Sequence, residues 1–172
     1  LVRDGGPRRL RYAPGYAYWT NFRILLTNRN KGARPEEAAY LYGGGGFGPS
    51  YNAAHPPRAV RVPGWADKVE FAALISGHGF GDAFNCAEFC NHEHRFTLNG
   101  GEHWRSHPIA GTNEGCVEQI DDGARPNGFG TWHYGRGGWC TAMDVKWWTS
   151  DATADAREGW NDVTYAGLFQ GA

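Results

Sequence analysis

A chain of 172 residues can build one domain with a sizeable core and is short for two. Seventeen Lys and Arg stand against 18 Asp and Glu with no long run of either sign, so the charge points neither to nucleic acid nor to an anionic membrane surface. No apolar stretch is long enough to cross a bilayer as a helix.

The sequence opens Leu1-Val2-Arg3-Asp4, without Met and without the apolar segment of a signal peptide, as a mature or trimmed piece of a longer protein would. Residues 1–16, rich in Arg, Gly and Pro, read as an irregular lead-in to a single domain over 17–172. Residues 17–27 read as a strand ending in the turn chemistry of 28–32. Glu36-Glu37-Ala38-Ala39 suggests a short helical turn, stopped by four glycines at 43–46. That run lacks the Lys-Ser/Thr of a phosphate-binding loop and reads as a flexible connection. Arg58–Val62 alternates ahead of Pro63-Gly64, and 68–75 is the clearest strand, polar at first and then wholly apolar. It delivers the chain to Ser76-Gly77-His78-Gly79. Residues 94–98 alternate and end at Asn99-Gly100, a strong hairpin signal, with 102–106 as the return strand. Residues 145–149 and 163–169 complete the strands, and no repeat or linker divides them. With 26 glycines, eight Trp and nine Phe, short aromatic runs between glycine-rich turns favour an all-β sandwich over disorder.

Cysteines at 86, 90, 116 and 140 allow three pairings if all are bridged, and an even count fits a secreted or periplasmic protein. A zinc site with His78, His92 and His94 is the rival. Zinc sites more often show Cys-x-x-Cys with a second close pair, which favours disulfides here.

Two segments carry candidate chemistry. Cys86-Ala87-Glu88-Phe89-Cys90 holds a carboxylate between two cysteines, and Gly135-Arg136-Gly137-Gly138-Trp139-Cys140 leads a guanidinium and an indole into a third. Alone, Glu88 reads as a surface charge, Arg136 as a salt-bridge partner and Trp139 as packing on a disulfide. In order with Ser76-Gly77-His78-Gly79, His94, Cys116 and the Asn/Gly-rich approach of 127–132, the set resembles the C-terminal domain of the peptide-N-glycosidase F family over roughly residues 58 to 148.

The resemblance implies an eight-stranded antiparallel jelly-roll sandwich, with this chain expected to stop before its last strand, and disulfides Cys86–Cys90 and Cys116–Cys140. It implies a secreted or periplasmic, bacterial-type hydrolase that cuts the amide between asparagine and the first GlcNAc of N-linked glycans. Glu88 matches the family's essential glutamate beside that sugar, and Arg136 matches an arginine lying against the catalytic carboxylate. Trp139 matches an aromatic wall of the cleft. His78 stands where a sugar-contacting tryptophan is found, and Trp132 would line the same site. The family's Pro-Gly after the last cysteine is Thr141-Ala142 here. The principal catalytic aspartate comes from a preceding domain, so an N-terminal partner domain and an N-glycosylated peptide or protein substrate are implied, with no cofactor and a monomeric state expected. Amide hydrolysis needs an aligned water, a carboxyl group to move protons and a cation where negative charge develops, and Glu88 and Arg136 supply the last two.

Two other readings compete. Copper-dependent monooxygenases share the fold and bind copper through His-x-His and a distant Met, for which His92, His94 and Met143 are the candidates. Otherwise His92 reads as a solvated loop residue and Met143 as a gap filler. A glycan-binding module without catalysis is the third reading.

Overall fold

A computed structural model describes residues 7, 9–13, 35–79 and 86–169. The chain divides into two compact units, Leu1–Tyr40 and Leu41–Ala172. The strand expected over 17–27 lies outside the described residues. The helical turn expected at 36–39 does not form: 35–40 is exposed and irregular. A turn that short has no buried face to offset the cost of nucleation.

In the second unit the described strands are β1 Arg58–Val62, β2 Glu70–Ala73, β3 His92–Leu98, β4 Gly101–Ser106, β5 Trp148–Asp151 and β6 Gly159–Phe169. The only described helices are two short 3-10 turns, Asn52–Ala54 and Val117–Gln119, so the fold is all-β. One antiparallel sheet has the order β1-β6-β3-β4 and the other pairs β2 with β5. The Asn99-Gly100 turn forms as the sequence suggests, with φ of 49° and 95° at its two central residues, and sets the register from Leu98↔Gly101 to Glu93↔Ser106.

Strand boundaries differ from the sequence reading: β6 begins at Gly159 rather than 163 and β4 at Gly101 rather than 102, and three further differences have a visible cause. β2 is only Glu70–Ala73, because its partner β5 offers four residues, from Asp151 opposite Glu70 to Trp148 opposite Ala73. β5 begins at Trp148, which stacks on Phe96 at 5.4 Å, while Trp147 is left exposed. β3 starts two residues early because His92 pairs with Phe169 on the long β6.

Period-two alternation puts His92, His94, Phe96 and Leu98 of β3 on the inner face, beside Val163, Tyr165 and Gly167 of β6. At one end of that face Phe96, Leu98, Val163 and Tyr165 pack with Phe71 of β2, so the two sheets meet through an apolar core. Asn161, fully buried, is tied down by four hydrogen bonds, accepting from Asn99 Nδ2 and Arg157 N and donating to the carbonyls of Arg157 and Gly159. A second cluster holds Cys116, Cys140 and Ala124 with Ile109, Trp132 and Met143 against them. Cysteine pairing is Cys86–Cys90 and Cys116–Cys140, with Cα separations of 5.4 and 5.8 Å.

Candidate functional site

Three loops meet beyond the histidine end of the inner face. Inside the Cys86–Cys90 disulfide the chain makes one tight turn, with Phe89 N and Cys90 N donating to Cys86 O at 2.9 and 2.7 Å. Glu88 N donates to Gly79 O at 3.1 Å, and Gly137 N donates to Glu88 O at 2.8 Å. Gly77 N donates to Gly137 O at 2.7 Å, and Trp139 Nε1 donates to Gly77 O at 2.8 Å. The glycine loop of 76–79, the acidic loop and the 135–140 loop are therefore laced together by backbone bonds on both sides of Glu88. Such lacing needs close approach: a Cβ on Gly77 or Gly137 would collide with the Ala87 carbonyl and with His92 Nε2.

That lacing brings Glu88 and Arg136 into direct contact as an ion pair, with side-chain exposures of 15% and 8%. The Arg136 guanidinium also lies over two rings, 4.8 Å from Phe89 and 4.3 Å from Trp139. Burial lowers the Arg136 pKa from its usual value, yet a guanidinium keeps its proton, and the glutamate together with two π faces replaces the lost water. Taking both charges out of water costs several kcal/mol per ion, so such a pair is weak evidence of stability and better evidence of a retained task.

A family defined as the C-terminal part of peptide-N-glycosidase F matches residues 50–167 of the 172. The chain belongs to the peptide-N-glycosidase F C-terminal family. No curated protein and no solved structure matches it.

Every residue that the peptide-N-glycosidase F motifs single out falls within that span, and most converge. His78 is exposed, its ring 5.4 Å from that of Trp139 and its Nε2 3.0 Å from Ser76 Oγ. Glu88, Arg136, Trp139 and His78 thus form one continuous ridge from buried charge to exposed ring. Trp132 is placed differently. It packs on the Cys116–Cys140 cluster with its indole nitrogen buried and unbonded, and its carbonyl accepts from Cys116 N at 2.8 Å. Thr141-Ala142 forms a tight turn: Met143 N donates to Cys140 O at 3.0 Å, and Ala142 holds φ 67°, where glycine is at ease.

Beside the ridge lies a cluster of imidazoles. His92, His94 and His107 are 2%, 4% and 4% exposed, and one ring nitrogen of each lies within 4.8 Å of the others. His92 is thus a buried strand residue rather than a solvated loop residue, since pairing with Phe169 carries it into the sheet. His92 Nδ1 is 2.7 Å from His94 Nε2, His94 Nδ1 is 2.7 Å from Tyr165 Oη, and Tyr165 Oη is 2.9 Å from Tyr51 Oη. Burial, reinforced by neighbouring cationic and imidazole groups, holds His94 and His107 neutral with pKa values of about 3. Burial also lowers His92, partly opposed by the Ala87 carbonyl, and raises Tyr165. Met143 lies in the other cluster, against the Cys116–Cys140 bridge, and the third member beside His92 and His94 is His107.

A recess of about 470 Å³ lies elsewhere, lined by Tyr42, the glycines of 43–46, Tyr51, His55 and Arg58. It has the volume of a ligand site but no carboxylate among those residues, and Arg58 is engaged over the Tyr42 ring at 5.7 Å. Residues that the sequence reading did not single out are Phe89, Tyr165 and His107. For Phe89 the signal was its place beside Glu88. For His107 the signal was the hairpin register, since one step beyond Glu93↔Ser106 sets it opposite His92.

Proposed function

We propose that this chain is the glycan-facing half of a peptide-N-glycosidase, cleaving the amide between asparagine and the first GlcNAc of N-linked glycans together with an N-terminal domain that supplies the principal catalytic carboxylate. The observation that carries this reading is the nearly buried Glu88–Arg136 pair, held between the acidic disulfide loop and the 135–140 loop within a family-matched span.

In this reading Glu88 orders the attacking water or a hydroxyl of the first sugar, since its backbone is bonded on both sides and its carboxylate is held by Arg136. Arg136 pairs with Glu88 and holds the partner domain's carboxylate in position. Trp139 and His78 offer stacked ring faces to the sugar, the imidazole standing in for a tryptophan of the family, and Trp132 supports the wall from the Cys116–Cys140 side. No cofactor takes part. The six described strands are read as part of an eight-stranded jelly-roll sandwich. Two disulfides suit an oxidising compartment, so the protein works outside the cytoplasm as a secreted or periplasmic monomer.

Glu88→Gln in the full-length gene product tests the role directly. Release of glycan from a denatured N-glycoprotein should fall by roughly 10²–10⁴-fold with the thermal midpoint little changed. Unchanged release would remove the amidase reading. Tight binding of a chitobiose-bearing glycopeptide by a wild-type full-length protein that releases nothing would favour a glycan-binding module instead.

A further inference from the structure

We propose that His92 Nδ1, His94 Nε2 and His107 Nε2 form a three-imidazole site for a divalent transition ion of the zinc class.

The case begins with hydrogen-bond satisfaction. Without an ion, one consistent set of tautomers has His92 Nε2–H facing the Ala87 carbonyl, His94 Nε2–H donating to His92 Nδ1, and Tyr165 O–H donating to His94 Nδ1. Both nitrogens of His94 and Nδ1 of His92 are then occupied, but His92 Nε2 and His107 Nε2 are buried with no hydrogen bond that meets ordinary geometry. A buried, unpaired ring nitrogen calls for an explanation.

An ion supplies one. Two imidazole nitrogens bound to the same zinc at about 2.0–2.1 Å, with a tetrahedral angle between them, stand ~3.3 Å apart. His92 Nδ1 and His94 Nε2 are 2.7 Å apart already, so a small rotation of the two rings admits the metal between them. His94 then moves its proton from Nε2 to Nδ1 and donates to Tyr165 Oη, while His92 keeps its Nε2 proton on the Ala87 side. Both rings remain neutral and no net proton leaves. His107 Nε2 gains its missing partner, and a fourth position stays open to water.

The surroundings match what metal-bound histidines need. Each ligand's second nitrogen should be fixed by a carbonyl or hydroxyl; the Tyr165–Tyr51 hydroxyl pair serves His94, and the Ala87 carbonyl lies on the Nε2 side of His92. The donor set is all imidazole, which suits zinc or copper and is poor for calcium or magnesium. The ligands come from the start of β3 and from the residue just after β4, so the ion would clamp the open end of that hairpin, next to the loop bearing Glu88. The site stands apart from the amidase reading, since none of its ligands is assigned a role there.

The test uses the whole chain, stripped with a chelator and titrated with Zn²⁺ in the presence of a competing chelating dye. One equivalent should bind, Co²⁺ should give tetrahedral visible bands, and the thermal midpoint should rise with metal. His107→Gln should weaken Zn²⁺ binding by at least about 100-fold, while Met143→Leu should leave it unchanged. Long-range proton–nitrogen NMR of the wild type gives an answer that needs no variant: the Nδ1 signal of His92 and the Nε2 signals of His94 and His107 should move. Failure of the wild type to take up stoichiometric Zn²⁺, wild-type affinity in His107→Gln, or shifts confined to His55, His78, His103 or His133 would overturn the proposal.

Discussion

Two arginines in this chain have the same kinds of partner and opposite fates. Arg95, on the outer face of β3, pairs with Glu102 at 3.3 Å and lies 5.5 Å from the Trp104 ring. Arg136 pairs with Glu88 and lies over Phe89 and Trp139. Both have a glutamate and an aromatic ring. Arg95 and Glu102 keep 40% and 47% of their side-chain surface, whereas Arg136 and Glu88 keep 8% and 15%. Water screens the first pair and leaves it nearly neutral in energy, while the second must satisfy its charges internally. Composition alone makes the two pairs look alike. Burial makes one of them the candidate site.

The comparison has to be made at a pH where neither pair titrates, and the histidines fix that range. His94 and His107 have pKa values of about 3 when folded against 6.5 unfolded. Below about 6.5 the unfolded chain therefore binds protons that the folded chain refuses. Stability should be flat above that value and should fall as pH drops towards about 3, with His92, Arg105 and Tyr165 facing the pair. Two extra protons on unfolding set an upper slope of ~2.7 kcal/mol per pH unit. Urea midpoints of chelator-treated protein between pH 8 and about 5, above the usual carboxylate range, measure this loss. A midpoint that stays constant across that interval would mean that the imidazoles accept protons while folded.

At neutral pH the buried pair can then be broken directly. Arg136→Ala leaves Glu88 with little water and no cation, and should cost about 3–5 kcal/mol by urea unfolding, towards the lower end because Glu88 keeps some exposure. A cost below about 1 kcal/mol would show that the pair is as well hydrated as the Arg95 pair.

What was legible beforehand divides along physical lines. The all-β class, the β3–β4 hairpin and β1 follow from local information: alternation, an Asn-Gly turn and glycine-rich breaks. The motif order located Glu88, Arg136, Trp139 and His78, and the loops bring these together. Burial was not legible, because it depends on strands far apart in sequence. His92 reads as a loop residue until β6 arrives some seventy positions later to pair with it. β5 likewise could not be placed from its own pattern, since Trp147 and Trp148 are equally apolar and only the partner strand selects Trp148. His107 was in reach. Counting back from the hairpin turn sets it across from His92, a step that needs only the register.

The turn after Cys140 offers a smaller lever on the loop that presents Arg136. Ala142 sits at φ 67° at the third position of a turn closed by Met143 N on Cys140 O, where a side chain costs ~1–2 kcal/mol and glycine nothing. Glycine's larger unfolded-state entropy offsets part of this gain. Ala142→Gly should therefore raise stability by about 0.5–1 kcal/mol. A loss instead would mean that the methyl group packs usefully on the Cys116–Cys140 cluster.

The smallest effect completes the contrast. Arg95→Ala removes an exposed ion pair with Glu102 and a stacked contact with Trp104. It leaves no buried charge behind, because Glu102 is open to water and also accepts from Trp104 Nε1 at 3.1 Å. The change should cost about 0.2–1 kcal/mol at low salt and less in concentrated salt, where the exposed charges are screened. The Arg136→Ala cost should hardly respond to salt, since ions cannot reach a pair that keeps so little surface. Measuring both variants at two salt concentrations separates the cases without relying on absolute energies. Equal salt dependence would place Arg136 in the same solvated class as Arg95 and leave the candidate site without its physical distinction.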